Sequence, residues 1–251
     1  YIFQMLAMQN IETLNGMAER IQRLIATQKE LSSAISHELR TPIARMRFAL
    51  EMLSEADDRA DRERLWRMMS DDLDELDNLI DSSLTYARFE REQPELNLTR
   101  VELAPWLEEK VDSIRILNRS LELTVDTRAL PAAQEVELDL KSMPYAVTNL
   151  LRNALKYAKT RITVSAEISD HHIRIHVDDD GIGIPPDERH RVFYAFTRLD
   201  RSRDRTTGGY GLGLAIVRLV LEQHDGTASA SESPLGGARF TLSWPLLHNV
   251  T

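Results

Sequence analysis

Cysteine is absent from all 251 residues. That excludes disulfides and thiolate metal sites, and it fits a reducing compartment without requiring one. No stretch reaches the roughly 18 consecutive apolar residues of a membrane span. The opening YIFQMLAM is apolar but short, and it lacks the basic start of a signal peptide. Basic charge is outnumbered, 31 Lys and Arg against 40 Asp and Glu, for a net charge of -9. A chain this acidic is a poor general binder of nucleic acid, whose phosphates demand a basic face. Glycine is scarce, at ten residues, so four of them between 208 and 213 stand out. Proline is missing until Pro42. The chain begins at Tyr1 and not at Met, and reads as a piece of a longer protein.

What is present is a soluble globular balance, 42% hydrophobic and 28% charged, over a length that allows one large domain or two medium ones. Residues 10 to 53 read as helix. Leu14, Met17, Ile21, Leu24, Gln28, Leu31 and Ile35 follow the 3-4 spacing of a coiled-coil seam, broken once by Gln28. A second helix offers Leu65, Met68 or Met69, Leu73, Leu76, Ile80 and Leu84 on one face. The polar SEADDRADRE between them reads as a loop. Together they form a helical hairpin. A lone hairpin buries little, so two copies are expected to dimerise into a four-helix bundle. EREQPELNLT (90–99) reads as a linker. Beyond it, LELTVD, RITVSAEI, IRIHVDD and ARFTLSWPL have the alternation of strands, while PYAVTNLLRNALKYA and GLAIVRLVLEQHD have helical periodicity. The expected class is α+β, a sheet covered by helices on one face.

Three blocks in this half carry chemistry. VDDDGIGIPP ends a strand in three carboxylates, and Gly181 and Gly183 then let a backbone come close to a ligand. A carboxylate there can accept from an exocyclic amino group such as that of adenine. A charged turn is the plainer reading of this block alone, and a calcium loop lacks its twelve-residue pattern. TTGGYGLGLAIV places Gly208, Gly209, Gly211 and Gly213 just before a helix, whose exposed N–H groups favour anions. The dinucleotide spacing fails, because Leu214 occupies the third glycine position, and the Walker lysine is missing. NLLRNALKY puts Asn149 and Asn153 on one helix face with Lys156 beyond. Amide oxygens and a lysine there suit magnesium held together with phosphates; two solvated asparagines are the alternative. RSRDRTTGG, basic and glycine-ended, reads as a lid over phosphates or as a solvated charge run.

These blocks, with SHELRTP (36–42), occur in an order that resembles the sensor histidine kinases of two-component signalling. SHELRTP resembles that family's phosphoacceptor box, NLLRNALKY its N box, DDDGIGI its first glycine box, VFYAFTRLD its F box, GGYGLGLAIV its second glycine box and GGARF its last glycine motif. Residues 10 to 25 resemble the end of a HAMP signalling helix. The resemblance implies a signalling helix over 1–25, a dimerisation and phosphotransfer hairpin over 26–90, a linker over 91–97, and an α/β sandwich ATP-binding domain over 98–251. It implies that Asp179 holds the adenine amino group and that Asn153, with Asn149, binds Mg2+. Lys156 and Arg198 would touch phosphates, and Tyr157 would lie near the nucleotide. Gly181 and Gly183 would line the nucleotide, and Gly209, Gly211 and Gly213 would shape the lid hinge and phosphate turn. His37 would take the γ-phosphoryl of ATP, Glu38 would draw its proton, and Thr41 would help remove phosphoryl from a response regulator. The implied whole is a bacterial inner-membrane homodimer, of which this chain is the cytoplasmic part. Tyr194 and Tyr210 depart from the family's usual residues at positions given no chemical role.

Position on the helix supports the role of His37. It lies two residues, about 200°, beyond Ile35 of the seam, so it points outward. HELRT lacks the second histidine of the H-E-x-x-H zinc motif. A neutral imidazole is a competent nucleophile, Glu38 is placed to orient it or accept its proton, and Thr41 follows one turn on. Pro42 deletes a helical N–H and is expected to kink the helix. His171, His172 and His176 are expected to be exposed strand residues, and His190, His224 and His248 surface ones. Trp66, Trp106 and Trp244 are expected to anchor the core or an interface.

Overall fold

In the computed structural model the described residues are 29, 32–55, 58–91, 96–116, 120–199 and 209–247. Most of the seam, the signalling helix, the lid segment and His248 lie outside them. The chain divides into two compact units, Tyr1–Leu79 and Ile80–Thr251.

The first unit is a helical hairpin of α1 (32–55) and the start of α2 (Arg59–Arg91). SEADDRADRE is thus mostly helical. Its charges suit exposed first and last turns, so it gives up few residues to the turn. Helix α1 continues through Pro42, which is buried, because a proline removes only one N–H and neighbouring hydrogen bonds persist. The α2 face differs from the expected one. Leu65 and Leu79 are buried, with Asp72 between them, whereas Leu73, Ile80 and Leu84 are 54%, 47% and 65% exposed. Steps of seven residues carry 65, 72 and 79 along the contact with α1. Leu73 and Ile80, one position later, point with Leu84 to a second, neighbouring face. Trp66, expected as an anchor, is also exposed.

The second unit takes in the end of α2, followed by β1 (Leu98–Glu102), α3 (Leu103–Arg115), β2 (Glu122–Asp126), β3 (Glu135–Asp139) and α4 (Met143–Tyr157). Then come β4 (Arg161–Ser169), β5 (His172–Asp179), a 3₁₀ turn at Arg191–Phe193, α5 (Gly213–Gln223), β6 (Thr227–Glu232) and β7 (Ala238–Pro245). The sheet runs β2-β4-β5-β7-β6. Only β2 and β4 pair in parallel; the other pairs are antiparallel. Strands β1 and β3 make a separate antiparallel ribbon. The Trp244 indole ties the ribbon to the sheet by donating to the Glu137 carbonyl at 3.2 Å.

Alternation fixes one face of the sheet inward. Ile162, Val164 and Ala166 of β4, Ile173, Ile175 and Val177 of β5, and Phe240, Leu242 and Trp244 of β7 are buried, and the residues between them are not, apart from the end of β5. Helices α3, α4 and α5 supply the opposing layer through Leu107, Val111, Leu150, Leu151, Val217 and Val220, all fully buried. Helix α3 and strands β1, β3 and β6 went unread in the sequence. The strands are short with few apolar residues, and α3 carries a proline, Pro105, in its first turn.

Two histidines correct the sequence reading. His176 is half-buried, with Nδ1 2.8 Å from the Thr241 hydroxyl. His224 is fully buried. Its Nε2 accepts from the Asp139 backbone N–H at 3.1 Å, so its Nδ1 is the protonated nitrogen and donates to the Val220 carbonyl at 2.8 Å. A histidine just past a helix end reads as solvated. Here the ribbon folds over it. His190 is exposed as expected, as is His171, while His172 is partly covered.

Candidate functional site

Each unit carries part of the expected set of site residues. On α1 the His37 side chain is 76% exposed, and its Nδ1 stands 3.9 Å from Glu38 Oε1. That separation is an ion-pair distance, too long for a hydrogen bond. Thr41 follows one turn later and is partly covered. Phe48, 58% exposed, and Met52, 42% exposed, continue this side of the helix, since eleven residues bring Phe48 within about 20° of His37.

In the second unit the three carboxylates at the end of β5 have three different fates. Asp178 forms a two-pronged ion pair with Arg239 of β7, both bonds at 2.8 Å. Asp180 accepts from the Lys159 N–H at 2.8 Å and from the Thr160 N–H and hydroxyl, so it caps the turn after α4. The Thr160 hydroxyl, with the backbone N–H groups around it, holds Asp180 well below the usual carboxylate range. Asp179 is 1% exposed. Its Oδ1 accepts from the Gly181 N–H at 2.8 Å and the Ala238 N–H at 3.1 Å. Burial pushes this carboxyl up, against the pull of those two donors.

The glycines around Asp179 are there for space. A β-carbon on Gly181 would lie 2.4 Å from the Tyr157 carbonyl oxygen, and one on Gly237 would lie 2.3 Å from Asp179 Oδ1. Both separations are below any real contact. Gly183 has φ +68° and faces the Gly237 backbone. The second glycine block also approaches α4, at Asn149 and Lys156. A β-carbon on Gly213 would sit 2.9 Å from Asn149 Oδ1, and one on Gly209 3.1 Å from Lys156 Nζ. Gly211 has φ +72°, where L-residues are rare, and its carbonyl accepts from the Phe196 N–H at 3.0 Å. That bond joins the segment holding Arg198 to the start of α5.

Helix α4 therefore meets both glycine blocks. Asn149 donates from Nδ2 to the Tyr145 carbonyl at 2.8 Å, which turns its Oδ1 toward the start of α5. Asn153 lies one turn on, partly covered, and Lys156 Nζ sits 4.8 Å from the Tyr157 ring centre. Of the expected residues, Asn149, Lys156, Tyr157, Asp179, Gly181, Gly183, Gly209, Gly211 and Gly213 come together here. Asn153 lies among them by its place on α4. His37, Glu38 and Thr41 belong to the other unit. Sequence reasoning did not single out Gly237 or Ala238 as site residues, although they fall inside the GGARF motif. Among the described residues no three His, Asp or Glu side chains cluster as a metal site, so a cation here would depend on the asparagine oxygens.

A histidine on an exposed helix face, joined to a layered domain with a buried carboxylate in a glycine cradle, defines a phosphoacceptor hairpin coupled to a nucleotide-binding ATPase fold. Residues 27–92 match the His Kinase A (phospho-acceptor) domain, and residues 139–248 match the histidine kinase-, DNA gyrase B- and HSP90-like ATPase family. The chain belongs to the sensor histidine kinases. It is 42% identical to the sensor protein RstB of Escherichia coli K12, over 94% of this chain and 53% of that one. The lid and tail segments TRLDRSRDRTTGG and LGGARFTLSWPLLHNV resemble the same type. It is 32% identical to the sensor histidine kinase CpxA of the same organism, over 93% and 50%. The chain thus spans about half the length of the curated relatives it matches. Among solved structures, the Acinetobacter baumannii histidine kinase AdeS has the same fold, with TM-score 0.65 and 22% identity over 84% of this chain and 98% of that one. Full-length ShkA in complex with AMPPNP gives 0.63 at 25% identity over 89% and 47%.

Proposed function

We propose that this chain is the kinase portion of a sensor that phosphorylates itself on His37 from ATP and passes the phosphoryl group to an aspartate of a response regulator. One arrangement carries the reading. Asp179 is buried, and both of its backbone donors end on Oδ1, which leaves Oδ2 to accept from the amino group of an adenine. Gly181, Gly183 and Gly237 keep side chains out of the space where the base would lie. Lys156 and Arg198 supply positive charge for the phosphates, and Gly209, Gly211 and Gly213 let the backbone turn around them. The amide oxygens of Asn153 and Asn149 suit Mg2+, which prefers oxygen ligands shared with nucleotide phosphates. Bound there, the ion would offset charge on the β- and γ-phosphates.

With Nδ1 of His37 turned to Glu38, Nε2 is the ring nitrogen left to attack. A bond forms from Nε2 to the γ-phosphorus, the bond to the bridging β,γ-oxygen breaks, and ADP leaves. Glu38 takes the imidazole proton through Nδ1. Phe48 and Met52, exposed, with Thr41, partly covered, lie on the side of His37 and suit a docked regulator; the Thr41 hydroxyl would orient water against the regulator's phosphoaspartate, so that the enzyme would also dephosphorylate it. The second exposed stripe, Leu73, Ile80 and Leu84, suits a second copy of the hairpin in a four-helix bundle. The family likeness further suggests attachment to a membrane through a part N-terminal to these residues; among the described residues no helix is long and apolar enough to cross one. Incubation with γ-labelled ATP and Mg2+ tests the core of this reading. Acid-labile, base-stable label on the wild type and none on His37→Ala is expected; label retained on His37→Ala refutes it.

A further inference from the structure

Helices α1 and α2 meet across a charge cluster with one buried member, Asp72. Arg45 of α1 donates from Nη2 both to Asp72 Oδ1 and to Glu75 Oε2 of α2. Asp72 is 3% exposed and stands between the buried Leu65 and Leu79; Arg45 stands between the buried Pro42 and Ala49. Two atoms of this cluster make no hydrogen bond: Arg45 Nε, a donor, and Asp72 Oδ2, an acceptor. They belong to residues already joined. The two-pronged fork that an arginine and a carboxylate favour is therefore only half made, because one nitrogen is shared between two carboxylates.

Such a cluster is a weak source of stability, since apolar residues of similar volume often serve as well, and its best-attested use is to fix register. Leucines spaced by sevens pack almost equally well after a small slip or turn of one helix. A half-buried guanidinium shared between the buried Asp72 and the half-buried Glu75 does not. His37 lies eight residues before Arg45, two turns and about 80° around the same helix. Whatever sets the rotation of α1 at Arg45 also sets the direction of His37.

We propose that Arg45, held by Asp72 and Glu75, is a positioning residue for the phosphorylation of His37, fixing the rotational register of α1 on α2. This rests on the reading of His37 as phosphoacceptor. The test compares two phosphoryl donors on the 251-residue chain. ATP must be delivered by the nucleotide-binding unit. Phosphoramidate, whose P–N bond breaks to release ammonia, reaches an exposed imidazole unaided. Arg45→Gln is expected to slow labelling from ATP at least tenfold, to leave labelling from phosphoramidate within twofold, and to leave ATP affinity unchanged. Arg45→Met/Asp72→Leu removes both charges together; it is expected to melt at or above the wild-type temperature and still to label slowly from ATP. If Arg45→Gln fails to fold, the double variant decides. Recovery of the ATP-driven rate in the double variant would make Arg45 merely structural and overturn the proposal, as would equal losses with both donors or an unchanged ATP-driven rate. A wild type that takes no phosphate from ATP overturns the functional reading, and this proposal with it.

Discussion

Asp179→Asn separates recognition from folding, because the two side chains have the same shape and differ in one atom's hydrogen bonding. In the wild type, Oδ1 holds the N–H groups of Gly181 and Ala238, and Oδ2 is proposed to accept from adenine. Asparagine keeps one oxygen. If that oxygen stays on the two backbone donors, its NH2 faces the adenine amino group, donor against donor. If the amide flips, the NH2 faces Gly181 and Ala238 instead. Either way one buried mismatch results. Losing a hydrogen bond to a charged acceptor costs about 1.5–3 kcal/mol, and at about 1.4 kcal/mol per decade ATP binding should weaken roughly 10- to 150-fold in calorimetry. Stability should move the other way. Burial raises the Asp179 pKa above its unfolded value. The ionised form therefore carries a penalty that is fully present above the folded pKa and disappears as pH falls below the ordinary carboxylate range. The variant, which never ionises, should melt no lower than wild type at pH 8, and any advantage should shrink on acidification. ATP affinity unchanged by the substitution would refute the adenine role. A melting deficit that grows with pH would refute the electrostatic argument.

Asn153→Ala is expected to abolish autophosphorylation and to remove the dependence of ATP binding on Mg2+, read by titration with and without the ion. Thr41→Ala should keep substantial autokinase activity while losing most dephosphorylation of a phosphorylated regulator; parallel loss of both would reduce Thr41 to shaping the helix before Pro42. Gly181→Ala places a β-carbon 2.4 Å from the Tyr157 carbonyl oxygen, so nucleotide binding should fall by more than tenfold with the secondary structure retained by circular dichroism. His224→Ala leaves the buried Asp139 N–H without its acceptor, a cost of about 1–3 kcal/mol that should lower the melting temperature by several degrees with little effect on ATP affinity.

The sequence by itself determined the division into a hairpin and a layered domain, because the hydrophobic period changes near residue 90 from helical to alternating. It also marked where the chemistry is proposed to lie. Glycines appear where a backbone must come close to something, and SHELRTP, NLLRNALKY and DDDGIGI are each short enough to be read in one element. Only the tertiary structure decided which of three adjacent aspartates is buried on backbone donors and not on a cation. Asp178, Asp179 and Asp180 are alike in sequence, and their fates depend on Arg239, Ala238 and Thr160, residues distant in the chain. It likewise decided that Gly237 closes the cradle, that His224 is a core histidine with a fixed tautomer, and that α2 turns Asp72, not Leu73, toward α1. A periodic stripe on a helix shows that a face is buried but not against which neighbour, and a buried charge is legible only when its partner, here Arg45 across the hairpin, is in view.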